Sequence, residues 1–174
     1  GGWWKEKELN THKLTQAAVI AALYAALTIL ASAIPTVGAF MFGPIQVRIA
    51  EALTILPYFT TAAIPGLAVG CLISNIVGAA FGLGGGILDV IFGTLATLLA
   101  AWLSSRVKKS WLAPLPPVVL NALIVAGVLA FTSQMPYWPW VLSIGAGQAV
   151  ACYGLGYPLL LLLRRYPRIF GGSR

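Results

Sequence analysis

The sequence predicts an all-α integral membrane protein, a bundle of six transmembrane helices with both termini in the cytoplasm. The first observation behind this prediction is composition: 59% of the 174 residues are hydrophobic and only 9% are charged, whereas a soluble domain carries about 25% charged residues. A spanning helix needs about 20 mostly apolar residues to cross a hydrocarbon core about 30 Å thick, so the chain has room for roughly five to seven spans. The second observation is that the basic residues gather at the ends of the apolar runs.

Six apolar runs, separated by helix-breaking and turn residues, are the predicted spans. They cover residues 13–34, 44–59, 62–81, 87–105, 113–131 and 138–163. The predicted domains are a cytoplasmic N-terminal segment at 1–12, a six-helix transmembrane domain at 13–165 and a cytoplasmic tail at 166–174. The first run is too long for the apolar part of a signal peptide, so we expect it to remain as an anchor.

The basic residues set the predicted orientation. They lie before the first span, after the fourth and after the sixth, as Lys5, Lys7, Lys13, Arg106, Lys108, Lys109, Arg164, Arg165 and Arg168. With six spans these three groups share one side, and the connections on the other side, 35–43, 82–86 and 132–137, contain no Lys or Arg. The positive-inside rule then places both termini in the cytoplasm.

Composition also argues against several classes of function. A net charge of +7 has the sign expected of a nucleic-acid-binding protein, but such a protein gathers its basic residues on one face beside polar or aromatic ones. Here they lie at the ends of the spans, so we predict no nucleic-acid partner. His12 is the single histidine, and Cys71 and Cys152 lie inside apolar runs, where a thiol behaves as a small hydrophobe. We therefore predict no metal, no cofactor and no Ser/His/Asp arrangement. The Gly-rich stretch 82–86 lacks the Lys-Ser/Thr of a phosphate loop.

The second run is too short to cross the membrane alone, since 16 residues of α-helix extend about 24 Å. The apolar segment before it, 35–43, has Pro and Gly at its ends. Irregular backbone at membrane depth is stable only where it is buried in protein or lines a cavity. We expect an external loop folded over a site, with an interfacial loop anchored by Phe40 and Phe42 as the alternative.

Three charged side chains, Arg48, Glu51 and Asp89, lie inside the apolar body, where each costs about 2.5 to 3.5 kcal/mol at a helix centre. Arg48 and Glu51 are three residues apart and can pair on one helix face, which leaves Asp89 without a counter-charge and implies a ligand or ordered water. Their depths, with that of Asn75, converge in the external half of the bundle. Gln148 lies at the predicted floor of this cavity, although a structural role stays open for both amides.

Two further patterns each allow two interpretations. Tyr137 and Trp138 lie at the external interface, where they anchor the chain as an aromatic belt or stack on a planar ligand. The first helix carries two rows of small residues at four-residue spacing, Ala17, Ala21 and Ala25 beside Ala18, Ala22 and Ala26. Small residues let another helix approach closely, and that helix belongs either to this chain or to a partner. Asn121 is expected to form a structural hydrogen bond between helices.

Several segments resemble the QueT family, the substrate-binding S components of energy-coupling factor (ECF) transporters. They are QVRIAEALTILP at 46–57, AAIPGL at 62–67, DVIFGTLATL at 89–98, APLPP at 113–117 and YGLGYP at 153–158. The resemblance covers 14–165 and implies a six-helix subunit in a prokaryotic plasma membrane. Its implied ligand is a queuosine precursor, a deazaguanine or related base, and its implied partners are a transmembrane coupling subunit and two ATPases.

In S components an Ala-x-x-x-Ala pattern on the first helix contacts the coupling subunit, and both alanine rows fit that pattern. In similar chains an acidic residue is common where this chain has Gln148. We expect Glu51 and Asp89 to accept hydrogen bonds from a guanine-like edge and Arg48 to orient Glu51 or meet a ligand carbonyl. Phe42, Tyr137 and Trp138 are expected to close over the ring.

Three other functions remain alternatives at this stage. The first is an S component for another vitamin or nucleobase, because a fold specifies a pocket and not its occupant. The second is a small intramembrane enzyme, which requires a nucleophile and base or a metal. The third is a structural membrane subunit, which leaves Asp89 and the apolar external loop unexplained. The favoured prediction is a non-catalytic transporter subunit.

Overall fold

A computed structural model describes residues 2–34, 48–82 and 86–170, and every regular element in these ranges is helical. The α-helices are α1 (Gly2–Ser32), α2 (Ala63–Ala80), α3 (Gly86–Arg106), α4 (Leu115–Ser133), α5 (Tyr137–Ala149) and α6 (Tyr157–Leu163). A π-helix, Val150–Gly156, joins α5 to α6. The 3-10 helices are Ile49–Tyr58, called the central 3-10 helix below, Ser110–Leu112 and Pro167–Phe170.

Five segments are long and apolar enough to cross a membrane, and they match five of the six predicted spans. They are Gly2–Ser32, Ala63–Ala80, Gly86–Arg106, Ser110–Ser133 and Tyr137–Leu163. Large apolar side chains such as Leu99 and Trp102 are exposed on these helices, as expected for a lipid-facing surface. The chain is thus a multi-pass membrane bundle. The count of six spans and the cytoplasmic position of both termini stay predictions.

The second predicted span departs from an ordinary helix. Its described part is the central 3-10 helix, ten residues long, and a 3-10 helix of this length covers only about 20 Å. Residues 44–47 of that span and the loop 35–43 lie outside the described residues. At the N-terminus, residues 2–12 were expected to precede the first span and instead continue α1 without a break.

Local sequence explains where the helices begin and end. Helix α4 has proline in its first turn, where the missing N–H has no helical partner to lose. It ends at Gln134, whose φ of 58° is left-handed, a common way to terminate a helix. Helix α6 likewise has proline in its first turn.

The bundle packs in chain order, α1 on α2, α2 on α3, α3 on α4 and α4 on α5. The central 3-10 helix contacts α1, α2, α3, the π-helix and α6. Glycines allow the closest approach: a Cβ at Gly70 would lie 2.8 Å from the Tyr24 Cβ, and one at Gly66 would lie 2.9 Å from the Ala17 carbonyl oxygen. Small residues on α2 are therefore required where α1 crosses it.

The two alanine rows of α1 face different surroundings. Ala21 and Ala25 are buried and Ala17 is half-buried, on the face that meets Gly66 and Gly70 of α2. The other row, Ala18, Ala22 and Ala26, is exposed. The first row therefore packs within the chain, which corrects the expectation that both rows are available to a partner. Contact between the exposed row and a partner stays a prediction.

Candidate functional site

Arg48, Asn75 and Asp89 meet in the interior, as their predicted depths required. The Arg48 guanidinium donates from Nη1 to Asn75 Oδ1 at 3.1 Å, and its Nη2 lies 3.9 Å from Asp89 Oδ2. Asn75 in turn donates from Nδ2 to the Asp89 backbone oxygen at 3.2 Å. All three side chains are buried. The prediction that Asp89 lacks a counter-charge is therefore wrong, because Arg48 supplies one.

Glu51 has a different partner from the one that spacing favoured. Its Oε1 accepts a hydrogen bond of 2.5 Å from the Tyr24 hydroxyl of α1. The side chain is only 2% exposed, and its Oε2 has no hydrogen-bond partner among the described residues. A buried carboxylate oxygen in this state loses the hydration it would have in water. It is therefore suited to accept from a bound donor.

Polar contacts continue from Glu51 toward the last span. The Glu51 carbonyl oxygen accepts from Thr54 Oγ1 at 2.6 Å and from Cys152 Sγ at 3.8 Å. Cys152 also lies 3.7 Å from Gln148 Oε1, which accepts from Asn121 Nδ2 at 3.2 Å. The interhelical hydrogen bond predicted for Asn121 is thus confirmed. Gln148 is buried, and its described contacts are with Asn121 and Cys152, so its role as the floor of a binding cavity stays a prediction.

The two cysteines are free, buried thiols, and each is part of a hydrogen-bonded group. Cys71 Sγ accepts from Thr97 Oγ1 at 3.3 Å and from Asn75 Nδ2 at 3.4 Å. A Cβ at Gly93 would lie 2.8 Å from that same Nδ2, so glycine is needed there for Asn75 to reach α3. Among the described residues, no three His, Cys, Asp or Glu side chains are grouped to hold a metal ion.

The aromatic candidates lie at the start of α5. The Tyr137 hydroxyl donates to the Leu123 carbonyl oxygen of α4 at 2.8 Å, and its ring meets Trp138 edge-on at 5.1 Å between centroids. Trp138 is 68% exposed. These contacts join α5 to α4, and closure of either ring over a ligand stays a prediction. Phe42 lies outside the described residues.

Tyr24 is the site residue that sequence reasoning missed. It is fully buried at the contact between α1, α2 and the carboxylate of Glu51. The sequence did hold a signal, because a tyrosine buried in an apolar bundle must find a partner for its hydroxyl. The interior therefore presents one acid balanced by a guanidinium and one acid held by a phenol, with an oxygen left to accept.

Comparisons with known proteins identify the family. The family model described as QueT transporter matches residues 14–165. The protein named queuosine precursor transporter QueT from Lactococcus lactis subsp. cremoris (strain MG1363) is 34% identical over 109 residues, which cover 60% of this chain and 59% of that protein. The match thus spans about three fifths of the relative's length. No solved structure matches significantly. Because the family model covers most of the sequence, the chain belongs to the QueT transporter family.

Proposed function

We propose that this chain is the substrate-capture (S) subunit of an ECF-type importer and binds a queuosine precursor, a base of the 7-deazaguanine type. Membership of a transporter family assigns the chain to transport, and the proposal adds its substrate and its partner subunits. The name of the Lactococcus relative supports the class of substrate. The observation that carries the proposal is the buried Glu51 carboxylate, with one oxygen on Tyr24 and the other without a partner among the described residues.

A guanine-like base fits this carboxylate chemically. Its ring N–H and exocyclic amine are adjacent donors that meet the two oxygens of a carboxylate as parallel hydrogen bonds. Oε1 retains a second lone pair beside the one that Tyr24 uses, and charge-assisted bonds of this kind are stronger than neutral ones. An adenine-type base lacks this donor pair and leaves the acid unpaired, so it is rejected.

The remaining candidates surround this central contact. Asp89 offsets the charge of Arg48, which keeps a guanidinium stable beside the base. Asn75 fixes the guanidinium and the backbone of α3 together. We place Gln148 below the base and Tyr137 and Trp138 over its ring on the external side, and Phe42, which lies outside the described residues, is the third aromatic residue assigned to this site. Exclusion of water by this closure raises the value of each polar contact.

A ligand panel tests the substrate. Purified protein is melted in the presence of 7-deazaguanine, 7-deazaadenine and a set of vitamins and nucleobases. We expect 7-deazaguanine to give the largest stabilisation and 7-deazaadenine to give little. Stabilisation by another vitamin or base, with none by 7-deazaguanine, would establish the alternative S-component specificity instead.

The exposed row of α1, Ala18, Ala22 and Ala26, supports the assignment of partners. Small exposed side chains at four-residue spacing suit close contact with a helix of a coupling subunit, which two ATPases would energise. Ala22→Trp should abolish co-purification with the coexpressed module and preserve ligand binding by the isolated chain. Leu23→Trp, at an exposed position outside this row, is the control. Normal co-purification of Ala22→Trp would exclude this interface.

A further inference from the structure

Thr28 of α1 is a buried hydroxyl with no hydrogen-bond partner among the described residues. Hydroxyls on helices usually bond to a carbonyl of the preceding turn. In this chain Ser74 bonds to the Gly70 oxygen at 2.8 Å, Thr132 to the Val128 oxygen at 3.0 Å and Thr15 to the Thr11 oxygen at 3.0 Å. Thr28, only 1% exposed, departs from this local pattern at a position where an unsatisfied hydroxyl costs stability.

Thr28 lies on the face of α1 that carries Tyr24, the partner of Glu51. It follows Tyr24 by four residues, so the two side chains lie on the same helix face, one turn apart. The Tyr24 phenol reaches Glu51 Oε1 from that face. Two buried polar atoms without partners among the described residues, Thr28 Oγ1 and Glu51 Oε2, therefore belong to the face of α1 that carries Tyr24 and to the acid that Tyr24 holds. A ligand edge that carries a carbonyl beside a donor would satisfy both atoms.

We propose that α1 forms part of the substrate site, with the Thr28 hydroxyl donating to the ring carbonyl of the base whose N–H and amine meet Glu51. This inference rests on the proposed function and narrows its ligand to bases that carry a carbonyl beside the N–H. Arg48 is the other donor available for that carbonyl, but its guanidinium is already directed at Asn75 and Asp89. Tyr24 is a positioning residue, because it holds the carboxylate and leaves Oε2 to the ligand.

Calorimetry with three probes on the folded full chain tests the assignment. The probes are 7-deazaguanine, 7-deazahypoxanthine, which lacks the amine, and 7-deaza-6-thioguanine, which keeps the ring N–H and the amine but has a weakly accepting thiocarbonyl in place of the carbonyl. Thr28→Val keeps the side-chain shape and removes the hydroxyl. It should weaken binding of the two carbonyl-bearing probes by about tenfold, the value of one hydrogen bond, and weaken binding of the thiocarbonyl probe by much less. Thr132→Val is the control, because its hydroxyl bonds within α4.

The melting temperature of the unliganded variant separates recognition from folding. Because Thr28 Oγ1 has no partner among the described residues, Thr28→Val should melt at or above the temperature of the parent. Equal weakening of all three probes, or no probe weakened more than twofold, would overturn the Thr28 contact while leaving the proposed function standing. Failure of the parent itself to bind 7-deazaguanine would overturn both.

Discussion

Glu51 and Asp89 are alike in the sequence, two acids embedded in apolar runs, but the structure gives them different surroundings. Asp89 faces the guanidinium of Arg48 at 3.9 Å. Glu51 is held by the neutral hydroxyl of Tyr24 and keeps an oxygen without a partner among the described residues. A charge balanced within the chain is tolerated by the fold, whereas a charge with an unused acceptor is suited to bind a ligand.

We infer from this difference separate tasks for two residues that the sequence placed in one role. If it is correct, substitution of Asp89 acts mainly on stability and substitution of Glu51 acts mainly on ligand binding. The distinction fails if Glu51, and not Asp89, balances Arg48 in the membrane. Each of the following changes distinguishes these two arrangements.

The largest effect is expected for Asp89→Asn. Removal of one charge from a buried pair leaves the other uncompensated and costs about 3 kcal/mol. For a chain of this size that lowers the melting temperature by roughly 6–12 °C. Thermal denaturation in detergent measures it, with Glu8→Gln on the exposed start of α1 as the control. A larger loss in Glu51→Gln than in Asp89→Asn would reverse the assignment of the counter-charge.

Glu51→Gln should retain the fold and lose ligand affinity. The amide keeps the shape of the side chain but replaces one acceptor by a donor, so it faces the ring N–H or amine with a group of the wrong kind. Hydrogen bonds to charged groups contribute about 1.5–3 kcal/mol, so calorimetry with 7-deazaguanine should show a loss of roughly tenfold to a hundredfold. Affinity within about twofold of the parent would mean that this carboxylate is structural.

Tyr24→Phe is expected to have a smaller effect on stability, because it leaves Glu51 Oε1 without its phenol donor at a cost of about 1–2 kcal/mol. Tyr153→Phe is the matched control, since that hydroxyl donates to the Trp111 carbonyl oxygen in an exposed setting. Melting curves of the two variants provide the comparison. The effect of Tyr24→Phe should largely disappear in a Glu51→Gln background, because coupled residues are not additive. Additive losses would indicate that the phenol acts on packing alone.

The spans were predictable because bilayer thickness fixes the length of an apolar helix, and five of the six predicted runs recur as long apolar helices. The pairing of the buried charges was not predictable from the sequence. Helical spacing places Arg48 next to Glu51, but whether Arg48 reaches Asp89 depends on how α3 packs against the central 3-10 helix. No local pattern encodes that distance.

The sequence contains a signal that distinguishes the two alanine rows of α1. The rows differ by a rotation of about 100° around α1, and small residues alone do not choose between them. Tyr24 and Thr28 share the face of Ala21 and Ala25, and polar groups in a spanning helix face the protein interior. Those two polar side chains therefore predict which row is buried, as the structure confirms.

The smallest effect is expected when both charges of the pair are removed. Replacement of a buried ion pair by neutral groups is often nearly neutral, because the desolvation penalty disappears together with the attraction. In Arg48→Gln/Asp89→Asn the Gln amide can still donate to Asn75, so stability should lie within about 1 kcal/mol of the parent. The double variant should therefore melt above Asp89→Asn, and this recovery measures the coupling between the two residues. If the double variant melts below Asp89→Asn, Arg48 is balanced by another group, and Glu51 becomes the acid to test beside it.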